Sequence, residues 1–179
     1  MVCNLLLFFL RLLRALVLLT SHATRFVALG FSLMEERKRL RPEYAALGER
    51  EIAELARRVP RDQLTEVYEK ILLAYSGDSM PLEPDTVRGA EVLMHEATFL
   101  EPDDRETPTH ATLEEALRVA VAAGVRALGL FHVSSRYPGR RVRRRVQELA
   151  AELAPDLPIV LFRSGRKLWL SPAKSEEEG

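Results

Sequence analysis

Residues 112–162, TLEEALRVAVAAGVRALGLFHVSSRYPGRRVRRRVQELAAELAPDLPIVLF, decide how this chain folds. Thr112 with Glu115 three positions on forms a capping box, and Gly124 stands where a left-handed residue ends a helix. Between them Leu113, Ala116, Leu117 and Ala120 make one apolar face. An apolar strand is predicted over 125–131, and it runs directly into His132. Pro138 then opens a second helix, with the stripe Val142, Val146, Leu149 and Leu153 facing a core and Pro155 as its stop. A terminal hairpin over 159–162 and 167–170 turns around Ser164 and Gly165. Strands alternating with helices at this spacing predict an α/β layer structure.

Working upstream, a strand over 91–95 enters a polar loop at 101–110 that is rich in Pro and Asp. Another strand over 71–75 leaves through Ser76, Gly77 and Asp78. Ile52, Leu55 and Ala56 make a helical stripe over 49–58 that Pro60 ends. Leu64, Val67, Tyr68 and Ile71 have helical spacing as well. The charged stretch 34–49, with Pro42 and Gly48, reads as an exposed connection. Two apolar stretches of strand length, 15–20 and 26–33, flank the polar Ser21-His22-Ala23-Thr24.

Composition narrows the class. A chain of 179 residues that is 47% apolar can bury one sizeable core. Its 26 basic and 26 acidic side chains cancel, so global charge nominates no nucleic-acid partner and local charge must decide. The single cysteine, Cys3, excludes an internal disulfide and a thiolate zinc cluster, and it suits a reducing, cytoplasmic setting. Apolar residues 5–10, extended by 15–19, raise the question of a membrane helix. Arg11 and Arg14 interrupt them well short of the roughly 18 residues a span requires, so no membrane role is expected. The organisation expected is an apolar N-terminal segment at 1–14, one domain at 15–172 and an acidic tail at 173–179.

Only four histidines are present besides that single cysteine, which makes their positions informative. His22, His95 and His132, together with Asp78, each fall at or just beyond the end of an apolar strand. That is where α/β scaffolds gather functional residues. Taken singly, each has an ordinary structural reading as a hydrogen-bonded edge residue or a turn former.

Taken in order, the words Tyr75-Ser76-Gly77-Asp78, His95-Glu96-Ala97-Thr98-Phe99, His110-Ala111-Thr112 and His132-Val133-Ser134-Ser135-Arg136-Tyr137 resemble the successive C-terminal motifs of ribonuclease Z. Members of that family are endonucleases that trim precursor tRNA 3′ ends. Thr20-Ser21-His22, followed by Ala28-Leu29-Gly30-Phe31 and Glu35, is similar to the family's third metal motif. The resemblance spans 15–137 and takes in all four histidines. It implies half of a metallo-β-lactamase αβ/βα sandwich, with a mixed sheet and helices packed on one face.

The same resemblance implies a two-zinc site, with manganese or iron suiting the same donors. It makes His22 a ligand of one ion, His132 a ligand of the other and Asp78 the carboxylate bridging both. Glu96 would orient His110, which would protonate the leaving 3′ oxygen, while Arg136, Tyr137 and His95 would contact substrate. The family usually has Ser where Ala111 stands, so that hydroxyl is lost here. Nothing in the sequence resembles the family's His-x-His-x-Asp-His signature, which supplies most of the metal ligands and the general base. The chain is therefore expected to be a truncated half, inactive alone. It would act on RNA of the precursor-tRNA kind, or another phosphodiester, with a second chain supplying the missing half or as a homodimer. A non-catalytic RNA- or protein-binding module derived from the same fold is the alternative. In that reading the arginines at 136, 140, 141, 143, 144 and 145 hold phosphate; otherwise those from 140 onward are a solvated helix face.

Overall fold

The computed structural model describes side chains over residues 29–163, together with the strand backbone at 13–22, 26–28 and 166–170. The expected N-terminal segment at 1–14 and the acidic tail at 173–179 lie outside the fully described residues. Among the described residues, seven strands follow one another in chain order: β1 (Leu13–His22), β2 (Phe26–Leu40), β3 (Thr65–Tyr75), β4 (Val92–Glu96), β5 (Leu128–Phe131), β6 (Ile159–Arg163) and β7 (Arg166–Leu170). Helices α1 (Glu49–Leu55), α2 (Arg61–Leu64), α3 (Leu113–Ala123) and α4 (Gly139–Leu153) connect them. The chain divides into two compact units, one at Met34–Lys70 and one made of Ala15–Leu33 with the chain from Ile71 onward.

The smaller unit departs from the sequence expectation. Met34 to Leu40 continues β2 instead of forming a connection, and β3 begins at Thr65 where helical spacing suggested a second amphipathic helix. Only Arg61–Leu64 is helical there, and the Thr65 hydroxyl closes that turn on the Arg61 carbonyl at 2.9 Å. Cross-strand pairing explains the difference. Arg39 Nε donates to Glu66 Oε1 at 2.7 Å and its guanidinium lies 5.0 Å from the Tyr68 ring centre, so charged side chains stabilise strands that no apolar alternation announces. Helix α1 forms as expected, with Glu51 accepting from the Gly48 amide at 2.8 Å, though it ends at Leu55.

In the larger unit β3, β4, β5 and β6 pair in parallel, and β7 returns antiparallel to β6. Parallel neighbours need crossovers, and α3 and α4 supply those from β4 to β5 and from β5 to β6. Helix α3 starts as the sequence indicates: Glu115 N donates to Thr112 Oγ1 at 3.2 Å, and Thr112 N donates back to Glu115 Oε2 at 2.8 Å. Its end is Gly124, at φ 61°. The core lies between the helices and one sheet face. Leu113, Leu117, Val142 and Val146 meet Leu93, Leu128, Leu130 and Leu161, all fully buried. This is a mixed sheet with helices on one face.

The opposite sheet face carries the alternate residues. Phe31, Tyr75 and Phe131 form a ladder with ring centres 5.2 and 4.9 Å apart, and Leu29, Phe31 and Phe162 are 60%, 42% and 37% exposed. No described helix is long and apolar enough to cross a membrane.

Candidate metal centre

All three inner parallel strands deliver chemistry at their carboxyl ends. Beyond β3 lies Asp78, at the end of β4 lies Glu96 with Thr98 just after it, and directly beyond β5 lies His132. The three loops are tied together. Glu96 N donates to Ser76 Oγ at 3.0 Å, Ala97 N to the Phe131 carbonyl at 2.9 Å, and Ser134 N to the Thr98 carbonyl at 3.1 Å. Gly77 adopts φ 66°, and a Cβ there would sit 2.5 Å from the Leu29 carbonyl oxygen, so only glycine fits the turn that presents Asp78. His132 itself has φ 59°, left-handed backbone that a side-chain-bearing residue rarely takes. Such a conformation persists only where the surroundings impose it, and it aims the imidazole out of the strand end.

Glu96 is fully buried and is the hub of the polar network. Oε1 accepts from His110 Nδ1 at 2.9 Å and from Ala111 N at 3.0 Å. Oε2 accepts from Thr98 N and from Thr98 Oγ1, both at 2.8 Å. Because the Thr98 hydroxyl donates to this carboxylate, it must accept from His132 Nδ1, 2.8 Å away. That makes Nδ1 of His132 a donor and leaves Nε2 as the ring atom aimed outward. Nε2 faces Asp78 Oδ2 at 3.4 Å. A ring nitrogen and a carboxylate oxygen at that separation can share a proton or hold one cation.

Imidazole nitrogen and carboxylate oxygen are a donor set that suits zinc, manganese or iron, and two ligands each about 2.1 Å from a tetrahedral ion stand roughly 3.4 Å apart. The pair therefore fits one divalent cation. Glu96, His110 and His132 also present one ligand atom each within 4.8 Å of one another. Four hydrogen bonds already occupy the two Glu96 oxygens, so that carboxylate orients imidazoles and is a poor ligand. The His110 and His132 ring centres are 5.2 Å apart, which places His110 beside the same pocket.

The structure thus brings Asp78, Glu96, His110 and His132 together at one rim of the sheet. His22 closes β1, and its side chain lies outside the described residues. Two residues expected to contact substrate, His95 and Tyr137, turn inward. His95 is fully buried: Nδ1 donates to the Glu96 carbonyl at 2.7 Å and Nε2 accepts from Leu82 N at 3.2 Å, so no ring nitrogen reaches a ligand. Burial holds its pKa down at about 4, which keeps the ring neutral. Tyr137 is 3% exposed and its hydroxyl donates to Asp104 at 2.7 Å, and burial first, then that bond, push its pKa up. Arg136 remains exposed, stacked 5.1 Å from the Phe99 ring centre and donating to Ser134 Oγ at 3.2 Å. Thr98, which links the carboxylate to His132, was not singled out from sequence. A hydroxyl two residues beyond a strand gives no signal of its own in the sequence.

Comparison with known proteins adds likenesses of sequence and of fold. A model described as "Beta-lactamase superfamily domain" matches residues 66–133. Ribonuclease Z of Thermococcus onnurineus is 35% identical over 101 residues, which is 54% of this chain and 32% of that protein. Ribonuclease Z of Methanopyrus kandleri is 39% identical over 80 residues, 45% of this chain and 29% of the relative. The chain thus spans about a third or less of the length of the curated relatives it matches. Among solved structures, the metallo-beta-lactamase fold protein YhfI from Bacillus subtilis superposes with a TM-score of 0.54 at 15% identity, covering 88% of this chain and 50% of YhfI. The chain thus has the metallo-β-lactamase fold, and over about half of its length its sequence is similar to ribonuclease Z.

Proposed function

We propose that the chain carries part of the active centre of a metal-dependent phosphodiester hydrolase of the ribonuclease Z type, acting on RNA. One observation supports this above the rest: His132 Nε2 and Asp78 Oδ2 face each other across 3.4 Å, at the separation two ligands of one ion adopt. When bound, a divalent ion, with zinc the first choice, supplies a polarised phosphoryl oxygen and an activated water. Asp78 and His132 would hold it, with His22 as the further histidine donor. Thr98 holds the His132 ring through Nδ1. Glu96 holds His110 through Nδ1, so that Nε2 can deliver a proton to the departing oxygen. Arg136 stands close enough to contact phosphate.

Asp78 and His132 are two protein ligands, whereas catalytic zinc normally has at least three. Full activity in this reading needs ligands from beyond the described residues or from a second polypeptide, and the described part alone is inactive. The test is calorimetric titration of the purified chain with zinc. Asp78→Asn and His132→Ala should each weaken binding by more than about tenfold, and Thr98→Val by about 10–100-fold because it frees the ring. Unchanged affinity in the Asp78→Asn, His132→Ala double variant would end the proposal. In the binding-module alternative those substitutions are silent and charge reversal at Arg140 and Arg143 is not. Arg144 and Arg145 are poor probes of it, because they pair with Glu148 and Glu101 at 3.5 and 2.8 Å.

A further inference from the structure

We propose that Arg105 is a positioning residue for His110: its guanidinium clamps the His110 backbone to Glu115, so that the imidazole stays seated on Glu96 and beside His132. The proton-donor role of His110 rests on the hydrolase reading above; the clamp itself does not. Arg105 Nη1 donates to the His110 carbonyl at 3.0 Å and to Glu115 Oε2 at 2.8 Å, while Nη2 donates to Glu115 Oε1 at 3.0 Å. Both nitrogens of the fork therefore meet both carboxylate oxygens, the strong bidentate form of this pair. The Arg105 side chain is 18% exposed, unlike Arg118 and Arg126, whose surface ion pairs leave them 61% and 73% exposed. Burial alone would raise the pKa of Glu115, yet the Thr112 amide and the Arg105 guanidinium outweigh it and hold the carboxyl below its ordinary value.

Helix α3 does not need Arg105 in order to start. Thr112 and Glu115 already exchange the two bonds of the capping box, so the guanidinium's further bond serves the residue two positions before the cap. The backbone of 110–112 is thereby held at each residue: Arg105 takes the His110 carbonyl, Glu96 the Ala111 amide at 3.0 Å and Glu115 the Thr112 amide at 2.8 Å. The base of the clamp is fixed as well. Arg105 N donates to the Pro102 carbonyl at 3.1 Å, and its neighbour Asp104 accepts from the Tyr137 hydroxyl at 2.7 Å. Between the two ends Glu106, Thr107 and Pro108 are exposed, and the Thr109 amide turns back on the Thr107 carbonyl at 2.8 Å. Such a stretch gives His110 little support from its amino side, whereas closing the short loop 105–110 by one side chain costs little chain entropy. Removing the guanidinium would let the His110 carbonyl turn to solvent, and the ring would then divide its time between Glu96 and water. Lysine is no substitute, since one ammonium cannot present the planar fork that reaches two carboxylate oxygens and a carbonyl together.

The test is proton–nitrogen NMR of the histidine rings in the metal-free full chain, with the His110 signals assigned by their loss in His110→Gln. The parent chain should show one tautomer, its proton on Nδ1 and slow to exchange with water. Arg105→Ala should speed that exchange by at least about tenfold and average the two ring nitrogens. Thermal melts and an unchanged signal from the buried His95 ring would show that the variant folds. The milder Arg105→Lys should recover only part of the parent's signature. Glu115→Gln, whose amide oxygen can still accept from the Thr112 amide, should give a smaller change of the same kind, and adding it to Arg105→Ala should change nothing further, because the two side chains act as one pair. With a second polypeptide supplying the missing metal ligands, Arg105→Ala should lower kcat by roughly 10–100-fold and leave KM unchanged, as displacement of a proton donor requires. Normal turnover from a chain whose His110 ring has lost its signature would remove His110 from the chemistry and leave the clamp standing, which separates failure of the hydrolase reading from failure of this one. His110 ring signals unchanged in Arg105→Ala, or fully restored in Arg105→Lys, would overturn the assignment of Arg105.

Discussion

At His95 the protein holds an imidazole with no access to water, its two nitrogens satisfied by the Glu96 carbonyl and the Leu82 amide. Burial depresses its folded pKa from 6.5 to about 4. The folded value lies below the unfolded one, so on acidification the unfolded chain binds a proton that the folded chain refuses. Stability from this group is present above pH 6.5 and is lost as the pH falls from there towards 4, by roughly 3 kcal/mol for a shift of this size. Denaturant unfolding between pH 4 and 7 should show that slope, and His95→Gln should flatten it even if it lowers the plateau. A variant that retains the full slope would assign the acid sensitivity elsewhere. His95, His110 and His132 look alike in the sequence, each beside a strand or loop boundary. What separates them is whether the ring turns inwards, as at His95, or out of the strand end, as at His132, where a left-handed φ does the turning. Only coordinates give that, which is why the grouping of Asp78, Glu96, His110 and His132 was legible and the inward turn of His95 and Tyr137 was not.

Elements show the same division between what local chemistry dictates and what packing decides. Helices α3 and α4 were readable because their apolar stripes, the Thr112 box and Gly124 all agree. Strands β2 and β3 were readable only over 26–33 and 71–75; their charged halves were not, because side chains paired across strands replace apolar alternation there: Arg39 with Glu66 and Tyr68 looks like a charged loop until the strands are paired. The turn after β3 is the element on which the candidate site depends most. Gly77 has a positive φ and lies where any Cβ meets the Leu29 carbonyl, so Gly77→Ala must distort the turn or displace β2. The left-handed backbone alone costs about 1–2 kcal/mol, and the overlap adds to it. Thermal or denaturant unfolding of Gly77→Ala should show at least that loss. Zinc affinity should fall with it, because the same turn carries Asp78. An alanine variant of unchanged stability would mean that the turn relaxes freely, and the rigid presentation of Asp78 would no longer stand.

At the scale of the larger unit, one sheet face is filled by α3 and α4 and the other leaves Leu29, Phe31 and Phe162 substantially exposed beside the Tyr75 and Phe131 ladder. Isolated apolar side chains on a surface are ordinary, but a contiguous band along neighbouring strands marks a face that binds something. The rim of the same sheet presents the candidate metal site, for which Asp78 and His132 are the two described donors. The proposed hydrolase links these two shortages, because a polypeptide covering the bare face would sit beside the rim and could bring the missing ligands. The expected outcome for the chain alone is less than one tightly held zinc per molecule and no cleavage of an RNA phosphodiester. Adding a polypeptide with a His-x-His-x-Asp-His sequence should raise zinc occupancy and produce turnover, while amide exchange slows at Leu29, Phe31 and Phe131. His110→Gln in that assembly should lower kcat by about 100-fold or more with zinc occupancy unchanged, as loss of a proton donor requires. Turnover by the chain alone with two bound ions would show that its own residues complete the site, and the bare face would then need another explanation.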